Sequence, residues 1–101
     1  MSFLSKIFGI GPKVNFQQLI DDGAIIVDVR TKGEFKNGHI KGSKNIPLSE
    51  LNKQLSNLDK KKTIITCCAS GVRSGSAKRV LKANGFEAHN GGAWRILKSK
   101  I

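Results

Sequence analysis

The chain has 101 residues, enough for one hydrophobic core and too few for two. At 39% hydrophobic, with 11 glycines and 2 prolines, its composition suits a globular protein and excludes a disordered or collagen-like one. Lysine and arginine (18) outnumber aspartate and glutamate (7), and the formal charge of +11 leaves four readings: a nucleic-acid partner, an anionic substrate, an acidic partner protein, or only a lysine-biased surface.

The chain opens with Met1 to Phe8, which is apolar in places but interrupted by Lys6 and followed by no small-residue cleavage site, so it does not read as a signal peptide. Residues 1–12 are read as a short arm and 13–101 as a single domain. No apolar run approaches the roughly 18 residues of a membrane span. The expectation is a cytoplasmic monomer with no membrane association.

Strand and helix patterns then alternate, as in an α/β domain built on a mostly parallel sheet with helices on both faces. Asn15 can cap a helix through Phe16, Leu19 and Ile20 that Gly23 ends. The near-continuous apolar run Ala24 to Val29 reads as a buried strand, with Asp28 and Arg30 at its exit. Thr31 and Glu34 match a capping box, predicting a short helical turn to Phe35 that Asn37-Gly38-His39 breaks. Lys44 to Pro47 reads as an edge strand, and Ser49 opens a helix with Leu51, Leu55 and Leu58 on one face.

The run Lys60-Lys61-Lys62 falls where a solvated turn is expected, and no aromatics interleave with basic residues, which argues against nucleic acid. Thr63 to Cys67 reads as the central strand. After it, Ala77, Val80 and Leu81 mark the inner face of a helix that stops at Gly85, Phe86 to His89 a last strand, and Ala93 to Leu97 a closing helical turn.

The stretch Cys68-Ala69-Ser70-Gly71-Val72-Arg73-Ser74 joins the central strand to that helix. A cysteine there faces the N–H groups of a tight loop and of a first helical turn, and Arg73 adds a fixed positive charge. Together these lower a thiol's pKa and form an anion pocket. Cys67 and Cys68 are adjacent and cannot build a disulfide framework, and neither a CxxC pair nor a zinc-spaced His/Cys cluster is present. A reducing compartment and no metal or organic cofactor are expected. Cys67 should point to the other side of the strand from Cys68 in a structural role. The alternative, a resolving cysteine, requires the strained ring of an adjacent disulfide.

Taken in order, Val27-Asp28-Val29-Arg30, Glu34-Phe35, Gly38-His39-Ile40 with Gly42, Asn45-Ile46-Pro47, Cys68 to Ser74, Gly85-Phe86, Gly91-Gly92 and Trp94 resemble a single-domain rhodanese, a sulfurtransferase. The resemblance covers about Asn15 to Trp94. It implies an α/β fold in which the cysteine loop cradles a persulfide at the carboxyl end of a central strand. Four residues separate Cys68 from Arg73, as in the shorter sulfurtransferase loop. The related arsenate reductases and dual-specificity phosphatases have a loop one residue longer, which holds a tetrahedral oxyanion.

The implied chemistry assigns Cys68 as the nucleophile that takes sulfane sulfur from a small anionic donor such as thiosulfate and passes it to cyanide or a thiol. Ala69, Ser70, Gly71, Val72, Arg73 and Ser74 form the substrate-binding loop, with their amides on the negative persulfide and Arg73 fixing the loop and assisting anion binding. Asp28 and Arg30 support the loop by an ion pair or by hydrogen bonds to its backbone. Ala69 stands where many thiosulfate-using relatives carry an arginine, so the loop has one cation fewer. The alternative function is a persulfide carrier or interaction module that serves an acidic partner protein. His39 and His89 are read as structural, and Trp94 as an apolar anchor against the sheet.

Overall fold

The computed structural model describes residues 14–101, so the arm expected over 1–12 lies outside the described residues. Four parallel strands form one sheet in the order β2-β1-β3-β4: β1 Ile25–Asp28, β2 Lys44–Asn45, β3 Ile64–Cys68 and β4 Ala88–Ala93. All-parallel pairing needs crossover connections, and these put helices on both faces. On one face, α3 (Leu51–Gln54, flanked by 3-10 turns) and α4 (Val72–Ala83) cover Val27, Ile46, Ile64 and Cys68 with Leu51, Leu58, Ala77 and Leu81. On the other, α1 (Phe16–Asp21) and α5 (Trp94–Ser99) cover Ile26, Ile65 and Cys67 with Phe16, Leu19, Ile20, Trp94 and Leu97.

Local chemistry sets the element ends. Asn15 caps α1 by accepting from the Gln18 amide at 3.0 Å. Thr31 caps α2 (Lys32–Lys36), and the reciprocal bond from the Thr31 amide to Glu34 Oε1 completes the capping box. The helix expected from Ser49 is broken into a single α turn between two 3-10 turns, yet Leu51, Leu55 and Leu58 still pack on one cluster.

Several boundaries differ from the sequence reading: β1 and β2 are shorter than read, α5 runs on to Ser99, and β3 and β4 differ as well. β3 extends through Cys68, and β4 runs over Ala88–Ala93 and takes in Gly91 and Gly92, with Phe86 buried ahead of it. The glycines belong to the strand because it passes close to β3. A Cβ on Gly91 would lie 2.8 Å from the Thr66 carbonyl oxygen and 2.9 Å from Ile65 and Leu97. A register shift between Thr66 and Cys68 absorbs the extra residue, pairing Thr66 with Asn90 and Cys68 with Ala93.

At the exit of β1, Asp28 (0% exposed) and Arg30 (4%) form a buried ion pair. Arg30 Nη2 meets Asp28 Oδ2 at 2.7 Å, and Nε meets both carboxylate oxygens at 3.0 and 3.1 Å. Arg30 also donates to the carbonyls of Gly38 (2.7 Å) and Glu34 (3.3 Å), and its guanidinium lies 4.7 Å from the Trp94 ring centre. This fan of contacts fastens α2 and the corner after it to the sheet.

Removing one partner of such a pair leaves a buried charge unmatched. Arg30→Met is therefore expected to lower unfolding stability in urea by about 3–5 kcal/mol, and Asp28→Asn in the same chain to recover part of it. A loss for the single variant no larger than the roughly 1 kcal/mol of an exposed ion pair would show that the pair does not hold this corner.

Candidate active site

Cys68 is the last residue of β3, and its side chain is fully covered. The chain then turns through Ala69, Ser70 and Gly71 into α4, whose first residue is Val72. Gly71 has φ +102°, a left-handed conformation open to glycine. A Cβ there would also come within 3.3 Å of Gly92 Cα. The turn brings the Gly71 amide to 3.0 Å from Cys68 Sγ and the Ser74 amide to 3.4 Å, with Ser74 Oγ also at 3.4 Å. The sulfur sits at the amino end of a 12-residue helix, where first-turn N–H groups have no helical acceptor and the helix dipole favours negative charge.

Burial pushes the Cys68 thiol up, but the contact with the Ser74 hydroxyl and hydrogen bonds from the amides of Ser74, Gly71 and Ser70 outweigh it, holding the thiol below its ordinary value. Cys67 is the opposite case. It lies on the other face of β3, its register partner is Asp28, and burial followed by the nearby Asp28 charge pushes its thiol up to about 12. Both cysteines are free. Cys67 carries no nucleophile at neutral pH and does not share a face with Cys68.

The Arg73 side chain reaches α2. Its Nη1 and Nη2 bind Glu34 Oε1 at 2.8 Å and Oε2 at 3.0 Å, in a partly exposed bidentate pair. The Arg73 contact, then the Thr31 amide, holds the Glu34 carboxyl down to about 2. Among the described residues, Asp28 and Arg30 make no hydrogen bond to the 69–74 loop. They bind each other and α2, so their link to the loop is indirect, through Glu34 and Arg73. Ala69 and Ser70 are exposed, and Val72 is 75% exposed at the loop's outer edge. A cleft of about 350 Å³ lined by Val29, Thr31, Pro47, Leu48, Ser49 and Arg73 opens beside the loop.

Two residues that the sequence reading passed over complete the site. Asn90, on β4, donates from Nδ2 to the Gly71 carbonyl at 3.0 Å. Its Oδ1 accepts from Ser74 Oγ at 2.7 Å and from the Gly92 amide at 2.9 Å. Buried Thr66 donates to the Ser74 carbonyl at 2.8 Å. Asn90 stands directly before the paired glycines, which is the one sequence signal it offered. His39 stacks on Phe35 at 3.7 Å with Nδ1 at 2.7 Å from the Phe35 carbonyl oxygen, and His89 lies against Glu87. Among the described residues no group of His, Cys, Asp and Glu converges as a metal site would require. No described helix is long and apolar enough to cross a membrane.

The chain is 34% identical over 83 residues to thiosulfate sulfurtransferase GlpE of Ectopseudomonas mendocina, covering 82% of this chain and 75% of the relative. It is 38% identical over 74 residues to a Bacillus subtilis protein named "Putative sulfur carrier protein YrkF", covering 71% of this chain and 40% of the relative. The chain spans about half the length, or less, of several curated relatives, at 49%, 40% and 44%. The crystal structure of a rhodanese-like domain protein from Staphylococcus aureus superposes with a TM-score of 0.69 at 35% identity, covering 74% of each chain. The model of the rhodanese-like domain family matches residues 14–93, from ahead of α1 to the end of β4 and so across the whole sheet and the cysteine loop, and the chain belongs to that family.

Proposed function

We propose that this protein transfers sulfane sulfur through a persulfide on Cys68. The observation that carries the reading is the Cys68 sulfur, with amide hydrogens of Gly71 and Ser74 directed at it, at the start of α4. Similarity to a thiosulfate sulfurtransferase supports it. The loop is also short. Three residues lie between Cys68 and the helix, room for the amides to surround a single sulfur atom.

The Cys68 thiolate attacks the outer sulfur of thiosulfate, an S–S bond forms, the donor's S–S bond breaks, and sulfite leaves with the electron pair. The negative charge passes to the outer sulfur of the persulfide, which projects about 2 Å beyond Sγ toward the loop mouth. The first-turn amides of Val72, 3.5 Å from Ser70 Oγ, and of Arg73 lack helical acceptors and would serve as its donors. Cyanide or an acceptor thiolate then takes the outer sulfur and returns Cys68 to a thiolate. Arg73, neutralised by Glu34, fixes the start of α4 and adds only part of its charge to anion binding.

A second reading, a persulfide carrier serving a partner protein, is favoured by similarity to the protein named as a sulfur carrier and by the formal charge of +11, which would steer an acidic partner. Both readings need Cys68.

Thiosulfate alone should add one sulfur atom to the wild-type and Cys67→Ala proteins but not to Cys68→Ser, as read by intact mass. Turnover to thiocyanate that survives in Cys68→Ser would remove the proposal, while a persulfide without turnover would favour the carrier. The rate of persulfide formation should rise with pH through a midpoint below the roughly 8.5 of a free thiol, because the folded protein holds Cys68 below its ordinary value.

Arg73→Ala should lower kcat/KM for thiosulfate by about tenfold, mostly through KM. Glu34 titrates low when folded, so its pairing with Arg73 stabilises the fold fully above the ordinary carboxyl value of about 4.3 and loses that effect as pH falls toward about 2. The stability difference between wild type and Glu34→Gln should close over that window. Parallel curves would show that the pair contributes nothing.

A further inference from the structure

Ser74 has one hydroxyl hydrogen and two neighbours that can take it. Its Oγ lies 2.7 Å from Asn90 Oδ1 and 3.4 Å from Cys68 Sγ. The Asn90 amide cannot be turned over. Nδ2 faces the Gly71 carbonyl and Oδ1 faces the Gly92 amide, so a flip would set acceptor against acceptor at one end and donor against donor at the other. The atom facing Ser74 is therefore an acceptor only, and the hydroxyl must donate to it. A separation of 2.7 Å is the ordinary length of such a bond. Toward the sulfur Ser74 then presents lone pairs, which suit a thiol S–H and oppose a thiolate.

We propose that Asn90 is a positioning residue for the sulfur chemistry: it keeps the single Ser74 proton off Cys68 while the sulfur is a thiol and yields it when the thiol ionises. The S–H bond breaks and its proton leaves to solvent. The Ser74 O–H then swings from Asn90 Oδ1 to Sγ. Oδ1 keeps the Gly92 amide and Nδ2 keeps the Gly71 carbonyl, so neither the amide nor the loop loses its hold. Once a persulfide forms, the charge moves to the outer sulfur, the inner sulfur no longer claims the proton, and the hydroxyl returns to Asn90. The significance for turnover rests on the sulfur-transfer reading, but the switch is a property of the free thiol and is tested without any sulfur donor.

The other charged or titratable groups facing Cys68 are few. Cys67 adjoins it on β3 and is directed to the opposite face. Arg73 of α4 is paired with Glu34 of α2, and Asp28 of β1 is paired with Arg30. On β4 the neighbouring titratable side chain, His89, is turned to Glu87. None of these changes when Asn90 is replaced by an uncharged residue.

The test is the pH dependence of Cys68 alkylation by iodoacetamide, read by peptide mass, in wild type, Asn90→Ala, Ser74→Ala and the double variant. Freed from Asn90, the Ser74 hydroxyl donates to the thiolate without breaking another bond, so Asn90→Ala should lower the midpoint by about half to one pH unit. Ser74→Ala should raise it, and adding Asn90→Ala in that background should lower it no further. A purely structural role for Asn90 would loosen the Gly71 amide and raise the midpoint in both backgrounds. That result, or no change with Ser74 present, overturns the proposal. Should Asn90→Ala fail to fold, the Cys68 S–H stretch in Raman difference spectra against Cys68→Ser gives the same answer. It should lie at lower frequency in wild type than in Ser74→Ala, because S–H donates to Oγ, and an unshifted band overturns the proposal.

Discussion

A buried sulfur whose thiol is held below its ordinary value constrains most of this structure. Cys68 is buried, so most of its stabilisation has to come from fixed dipoles, and two amides and a helix terminus are aimed at it. That aim requires Gly71 at positive φ, and the bend packs Gly71 against Gly92 so closely that a side chain at 71 would collide with the backbone of β4. The strand in turn can run there only because Gly91 passes over the Thr66 carbonyl. The glycine pair, the register shift of β4 and the cysteine loop form one solution to one electrostatic problem.

Two separate braces hold the loop. On the α2 side, Asp28 grips Arg30, Arg30 grips the carbonyls of Glu34 and Gly38, and the Glu34 carboxylate grips Arg73. On the β4 side, Asn90 holds the Gly71 carbonyl and the Ser74 hydroxyl while Thr66 holds the Ser74 carbonyl. The first brace is ionic and ends in a partly exposed pair, so water screens it and acid weakens it. The second is made of neutral groups, most of them covered, and its hold on the Gly71 and Ser74 carbonyls does not depend on pH. The amides nearest the sulfur, those of Gly71 and Ser74, belong to the second brace, so the geometry of the cradle is insulated from the titration of Glu34.

Features set by short-range chemistry were legible in the sequence: the Asn15 cap, the Thr31–Glu34 capping box, the alternation that sends Cys67 and Cys68 to opposite faces, and the strand-loop-helix around Cys68. Those that depend on which distant segments meet were not. Glu34 read as a capping residue, and nothing local indicates that its carboxylate also meets Arg73 at a separation of 39 residues. Asn90 sat beside two glycines, just beyond the last strand as read to His89. The strand continued through them because β3 supplies a partner ladder and the absence of Cβ atoms permits the approach, which is a tertiary override of local propensity.

The two adjacent cysteines isolate the effect of environment from that of residue type. They have the same side chain, the same strand and the same near-complete burial, yet one thiol is pushed up to about 12 and the other is held below its ordinary value. The difference is direction alone. Cys67 faces the α1 and α5 side, next to an aspartate whose charge adds to the cost of ionisation. Cys68 faces the α4 side, where the first amides of a helix have no other acceptor. Strand pleating makes the two faces exclusive, so a one-residue slip of β3 would present Cys67 to the loop and turn Cys68 toward Asp28. The pairing of Asp28 with Cys67, and of Thr66 with Asn90 across the bulge, therefore decides which thiol is held low, and the register of the sheet sets the electrostatics of both.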